Sequence, residues 1–198
     1  MTKPKQVNVL FAGVGGQGIV LASKLVAQML LKQGAEVRTA ETIGMAQRGG
    51  TVLSHLRAGW GEGRPFAPLI AEGEADLLIA LEPGEAVRAL SYLKPGGAIL
   101  SLVHPVSRPK TSAPNEEHLN YLLKQEGPAV LCDATELCAR LGTTKLENTA
   151  LLGAGAKAEL YPLEVPGLLE VMDKFIKPRW REVNEIAITE GAAIVRQN

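Results

Sequence analysis

An apolar run, Val7-Asn8-Val9-Leu10-Phe11-Ala12, leads without a break into Gly13-Val14-Gly15-Gly16-Gln17-Gly18. A short strand that enters a glycine-rich turn and then a helix is the sequence form of a phosphate cradle. Glycine lets the backbone turn tightly and approach a ligand without Cβ clashes. The helix behind it would aim unpaired N–H groups and a partial positive charge at whatever sits there. On this reading φ is expected to be positive at Gly15, and an added Cβ there should hurt folding or assembly.

The rest of the chain continues the alternation that this opening starts. Ile19, Ala22, Leu25, Val26, Met29 and Leu30 recur at helical spacing within residues 16–33, and Gly34 stops that helix. Residues 36–41 read as the next strand, so the first three elements predict a β-α-β unit crossing over into a parallel sheet. Thr51–Arg57 alternates as a strand, with Val52, Ser54 and Leu56 on one face and Leu53, His55 and Arg57 on the other. Residues 59–68 are loop-like, and Asp76–Leu81 is a continuous apolar strand of the kind buried on both faces. A helix over 83–93, a turn at Pro95-Gly96-Gly97 and a strand over 98–103 follow. Residues 104–115 read as a long surface loop, 116–125 as a helix, 129–133 as a strand and 134–141 as a short helix. Beyond Lys145 strand patterns vanish, and helices are expected over 146–160, 167–177 and 179–197. The expectation is one α/β domain over residues 1–198. It has a Rossmann-like, mainly parallel sheet flanked by helices, and a helical C-terminal region from about 145.

Charge and cysteine content narrow the function. Lys+Arg and Asp+Glu both number 21, so the formal net charge is zero. Nucleic acid and membrane surfaces are therefore not the expected partners, since both call for a basic excess. Balanced charge also suits life inside a complex. The two cysteines, Cys132 and Cys138, lie in apolar contexts and read as buried thiols. Two cysteines cannot hold an iron–sulfur cluster unaided, and no ligand spacing for zinc is present. The N-terminus runs straight into a strand and no apolar run nears the roughly 20 residues of a membrane span. The cytoplasm is the expected compartment.

Ligands of open parallel sheets sit beyond the C-terminal strand ends. Three loops are expected there: 13–18, 42–50 and 82–85. The first could hold a dinucleotide, with Glu41 as the ribose ligand, or could be a tight turn that serves helix–sheet packing. The second carries Met45-Ala46-Gln47-Arg48-Gly49-Gly50. There Arg48 offers a permanently charged fork to a phosphate or carboxylate, and Gln47 a neutral donor and acceptor. A plain turn with a solvated arginine is the alternative. His55 reads as a structural histidine, and His104 and His118 lack metal-like companions. No nucleophile elbow, Ser-His-Asp order or P-loop is present.

Taken in order, Gly13–Gly18, Glu41–Gly50, Ser54–Arg57 and Asn148-Thr149-Ala150-Leu151-Leu152-Gly153 resemble the gamma-type domain of 2-oxoacid:ferredoxin oxidoreductases. The Met45–Gly50 form and Glu85–Gly97 are most similar to the indolepyruvate branch of that family. The resemblance runs from about residue 6 to the closing helix with Trp180, Glu182 and Asn184. It implies a subunit of a complex that decarboxylates a 2-oxoacid, passes electrons to ferredoxin and the acyl group to coenzyme A. Thiamine diphosphate, magnesium and 4Fe-4S clusters would sit on a larger alpha subunit, with none bound by this chain. Gly13, Gly15, Gly16, Gln17, Gly18, Met45, Gln47, Arg48 and Gly49 would then form a coenzyme A or partner-interface site. The rival expectations are a free-standing NAD(P)- or nucleotide-binding protein and, less well matched, an adenylating enzyme with a reactive cysteine.

Overall fold

The computed structural model describes residues 4–44, 50–104 and 115–198. The strands are β1 (Gln6–Val14), β2 (Glu36–Ile43), β3 (Thr51–Gly59), β4 (Ala75–Ala80), β5 (Leu93–Leu102), β6 (Ala129–Asp133) and β7 (Ala193–Gln197). The helices are α1 (Ile19–Lys32), α2 (Pro83–Ala89), α3 (Glu116–Leu123), α4 (Thr135–Arg140), α5 (Glu147–Lys157), α6 (Val165–Met172) and α7 (Arg181–Glu190). The strands make one sheet in the order β2-β3-β1-β4-β5-β6-β7.

Strands β1, β4, β5 and β6 pair in parallel, while β3 and β7 run against the rest. The expected mainly parallel sheet is therefore present, with a difference at one end. Strand β2 does not lie beside β1. The chain folds back from β2 into β3 as an antiparallel hairpin, and β3 takes the place next to β1. Strand β3 can be buried on both faces, with Val52, Leu56 and Ala58 in the core on one side and Leu53 and His55 packed on the other, whereas β2 carries Arg38, Thr39 and Glu41 and tolerates only an edge.

Central strands alternate between two apolar layers. Val7, Val9 and Phe11 of β1 face a large core with α1, α5, α6 and α7, while Leu10 and Ala12 face a smaller one with α2 and α3. This two-sided burial is why β1 and β4 read as unbroken apolar runs.

Three expectations along the chain need correction. The helix over 83–93 ends as α2 at Ala89 with a 3-10 turn at Leu90–Tyr92. Pro95-Gly96-Gly97 is not a turn between elements. It lies within β5, where the register against β4 shifts between Ala75 and Leu77 and Gly96 takes φ +71°. The C-terminal region is not wholly helical. Gly191, at φ +69°, ends α7, and residues 193–197 form β7 antiparallel to β6. Ala192 N–H donates to the Ala150 carbonyl at 2.8 Å, which ties this turn to α5.

Candidate functional site

The glycine turn sits where β1 leaves the sheet, and its neighbours converge from four other places in the chain. Gly16 takes φ +97° and Gly18 φ +83°, both in the left-handed region. Gly15 does not, and a Cβ built on it meets nothing closer than 3.9 Å. The strain expected at Gly15 therefore belongs to its neighbours. At Gly18 the objection to a side chain is also steric, since a Cβ there would lie 2.3 Å from Nδ2 of Asn148.

Hydrogen bonds within the turn and to neighbouring segments hold it in place. Val14 N–H donates to Oε1 of Gln17 at 2.7 Å, and Gln17 N–H donates to the Val14 carbonyl at 3.3 Å. Gly15 N–H donates to the Gly50 carbonyl at 3.1 Å, which pins the turn to the start of β3. Gln17 Nε2 donates to Oε1 of Glu82, just beyond β4, at 2.5 Å. The loops after β1 and β4 are thus joined through Gln17, and a carboxylate stands against the turn. A carboxylate there repels a polyphosphate.

Asn148 ties the turn to the C-terminal helices. Its Nδ2 donates to the Gly18 carbonyl at 3.1 Å, and its Oδ1 accepts from Thr149 N–H at 2.8 Å. Thr149 Oγ1 lies 3.0 Å from Oδ1 of Asn184 and 3.1 Å from the Leu146 carbonyl, so its one hydrogen is shared between two acceptors. Asn184 Nδ2 donates to the Trp180 carbonyl at 2.7 Å. Asn148, Thr149 and Asn184 are all buried. This chain of amides and one hydroxyl was legible in the sequence only as two separate blocks of the resemblance. Nothing in their spacing shows that residues 148 and 184 meet.

Glu41 does not meet the needs of a dinucleotide site. It is exposed on β2, two strands from β1, which places it about 10 Å away at the usual strand spacing. A ribose ligand needs the strand next to the turn, and here that strand is β3.

The remaining titratable candidates take structural positions. His55 is buried, and its Nδ1 accepts from Ile70 N–H at 3.2 Å. Its Nε2 has no hydrogen-bond partner among the described residues, and its ring meets Tyr92 edge-on at 5.7 Å. Burial holds its pKa below the ordinary 6.5. His104 Nε2 lies 3.4 Å from Oδ2 of Asp133. Both cysteines are buried and neither is in a disulfide, and desolvation pushes the Cys132 thiol up to about 12. They do not fit an iron–sulfur cluster, which needs four accessible thiolates, nor the reactive cysteine of an adenylating enzyme. Among the described residues no three His, Cys, Asp or Glu side chains cluster as metal ligands. Met45, Gln47, Arg48 and Gly49, and residues 105–114 of the loop expected over 104–115, lie outside the described residues.

Residues 8–194 match the pyruvate ferredoxin/flavodoxin oxidoreductase family. The chain belongs to this family. Among curated proteins, it is 31% identical over 200 residues to indolepyruvate oxidoreductase subunit IorB of Pyrococcus horikoshii, covering 98% of both chains. It is 30% identical over 154 residues to the common gamma subunit of the pyruvate/ketoisovalerate oxidoreductases of Thermococcus kodakarensis, covering 77% of each. Two solved structures share the fold. One is the pyruvate oxidoreductase subunit PORC of Thermotoga maritima, with TM-score 0.67, 17% identity, and coverage of 98% of this chain and 100% of that one. The other is the 2-oxoglutarate:ferredoxin oxidoreductase of Magnetococcus marinus, solved with 2-oxoglutarate, coenzyme A and succinyl-CoA bound. There the TM-score is 0.72 at 21% identity, and the match covers 96% of this chain but only 31% of that one. The fold is thus found both as a separate subunit and as part of a longer chain.

Proposed function

We propose that this chain is the small subunit of an indolepyruvate-type 2-oxoacid:ferredoxin oxidoreductase and is inactive by itself. The observation that carries this reading is the match over nearly the whole length to subunits named for that activity. Oxidative decarboxylation of the aryl 2-oxoacid to an acyl-CoA belongs to a larger cytoplasmic partner. That partner carries thiamine diphosphate, magnesium and the clusters, and hands electrons to ferredoxin. The two buried cysteines of this chain support the division, since neither can serve as a cluster ligand without unfolding its surroundings.

The role assigned to this chain is to dock and to orient. Two observations support a partner interface at the glycine turn. Gly15 and Gly16 are exposed, and hydrogen bonds to the Gly50 carbonyl and the Glu82 carboxylate hold the turn in place at the surface. Coenzyme A contact is assigned to Arg48. Gly15, Gly16, Gln17 and Gly18, with Met45, Gln47, Arg48 and Gly49, are read as the surface offered to the partner, whereas Gly13 is buried in β1 and packs against Gln17 and Ile19 from within. The test is to purify the two chains separately and together. Ferredoxin reduction from indolepyruvate should require both, and an equal rate from the large chain alone would defeat the reading. Calorimetry of the isolated chain with NAD or NADP should show no binding.

A further inference from the structure

The chain is neutral as a whole, yet one corner is not. Between Lys174 and Arg181 there are four cations and no acid, interleaved with two large aromatics, Phe175 and Trp180. The segment joins α6 to α7 and is exposed except for Ile176. Phe175 and Trp180 each keep 37% of their surface open. Arg181 pairs with Asp173 at 3.2 Å. Among the described residues Lys174, Lys177 and Arg179 have no acidic partner. Arg179 instead lies 5.7 Å from the Trp180 ring centroid, in cation–π contact. Glu182 follows in the first turn of α7, where a carboxylate suits the helix dipole.

Exposed tryptophan with arginine is the composition of an interface anchor, not of an ordinary surface. The corner is also held rigid from below. Asn184 fixes the Trp180 carbonyl, and through Thr149 and Asn148 it connects to the Gly18 carbonyl. The three buried polar residues thus link the backbone of the corner to that of the glycine turn through the interior, and a backbone held in this way loses less entropy on docking.

We propose that Lys174, Phe175, Lys177, Arg179 and Trp180 form a docking surface for an acidic face of the larger, thiamine-bearing subunit. This rests on the reading of the chain as a subunit. Unpaired cations call for an anionic partner. Attraction of this kind speeds association and weakens with salt.

The test uses the co-expressed complex, with dissociation followed by mass photometry across a salt series and ferredoxin reduction assayed alongside. The triple variant K174E/K177E/R179E should weaken assembly about tenfold or more at low salt and flatten the salt dependence. Trp180→Ala should weaken assembly about tenfold with the salt dependence retained. Melting of each isolated variant confirms that it is folded. If the wild-type chains assemble and both variants do so as tightly, the docking proposal falls while the subunit reading stands. If the variants assemble normally but need more ferredoxin for half-maximal rate, the corner serves the electron carrier and the proposal is likewise overturned. If the wild-type chains do not associate at all, the subunit reading itself fails and takes the proposal with it.

Discussion

Nδ2 of Asn148 occupies the space that a side chain on Gly18 would need, and from there it donates to the Gly18 carbonyl at 3.1 Å. Position 18 therefore demands glycine twice over, by the contact with Asn148 and by the φ of +83° that the turn imposes. Gly18→Ala should cost at least about 2 kcal/mol, since the left-handed backbone alone costs about 1–2 kcal/mol. Gly15→Ala should stay within about 0.5 kcal/mol of wild type, because its Cβ has room and its φ is unrestricted. Urea denaturation of the two variants checks the contrast, and equal losses would contradict it.

The Asn148–Thr149–Asn184 chain should behave as a unit. Asn148→Ala and Asn184→Ala each remove a partner from buried polar groups, and each should cost about 1–3 kcal/mol. Because both connect through Thr149, the double variant should lose less than the sum of the two. Strict additivity in a double-mutant cycle would show that the two ends are independent.

His55 gives the fold a pH dependence of known sign. Burial lowers its pKa in the folded chain below the ordinary 6.5, so over that window the unfolded chain binds more protons. The histidine's contribution to stability is present above pH 6.5 and is lost as pH falls from 6.5 toward the lowered folded value. Protonation would also convert Nδ1 into a donor and break its bond from Ile70 N–H. An NMR titration of the His55 ring should place its midpoint below 6.5. A midpoint above that would contradict the packing described for it.

Neither cysteine should react in the native chain. Cys132 is fully buried, with its thiol pushed up to about 12, and Cys138 is 1% exposed. Aromatic disulfide reagents should titrate both thiols only after denaturation. Rapid modification of the folded protein would place a thiol at the surface and revive a redox or thioester role.

Local patterns carried most of the architecture. Unbroken apolar runs locate β1, β4 and β6, and period-3.6 spacing locates α1, each within a few residues, because these strands are buried on both faces and the helix on one. Pairing partners are not encoded locally, and this is where the readings diverge. Residues 36–41 have the same strand pattern whether they lie beside β1 or beyond β3. Only the two-sided burial of β3 decides the matter. Residues 193–197 are a short strand at the end of a helical stretch, with a single glycine, Gly191, to mark the change. At the candidate site the glycines were legible because their chemistry is local. The clamp on them was not, because residues 18, 148 and 184 meet only once the chain has folded.

The central claim is that this chain is one half of an enzyme, and reconstitution tests it most directly. The two separately purified chains should form a stable complex when mixed. That complex should reduce ferredoxin with indolepyruvate and coenzyme A far faster than either chain alone. Full activity from the large chain without this one, or no association between the two, would contradict the account.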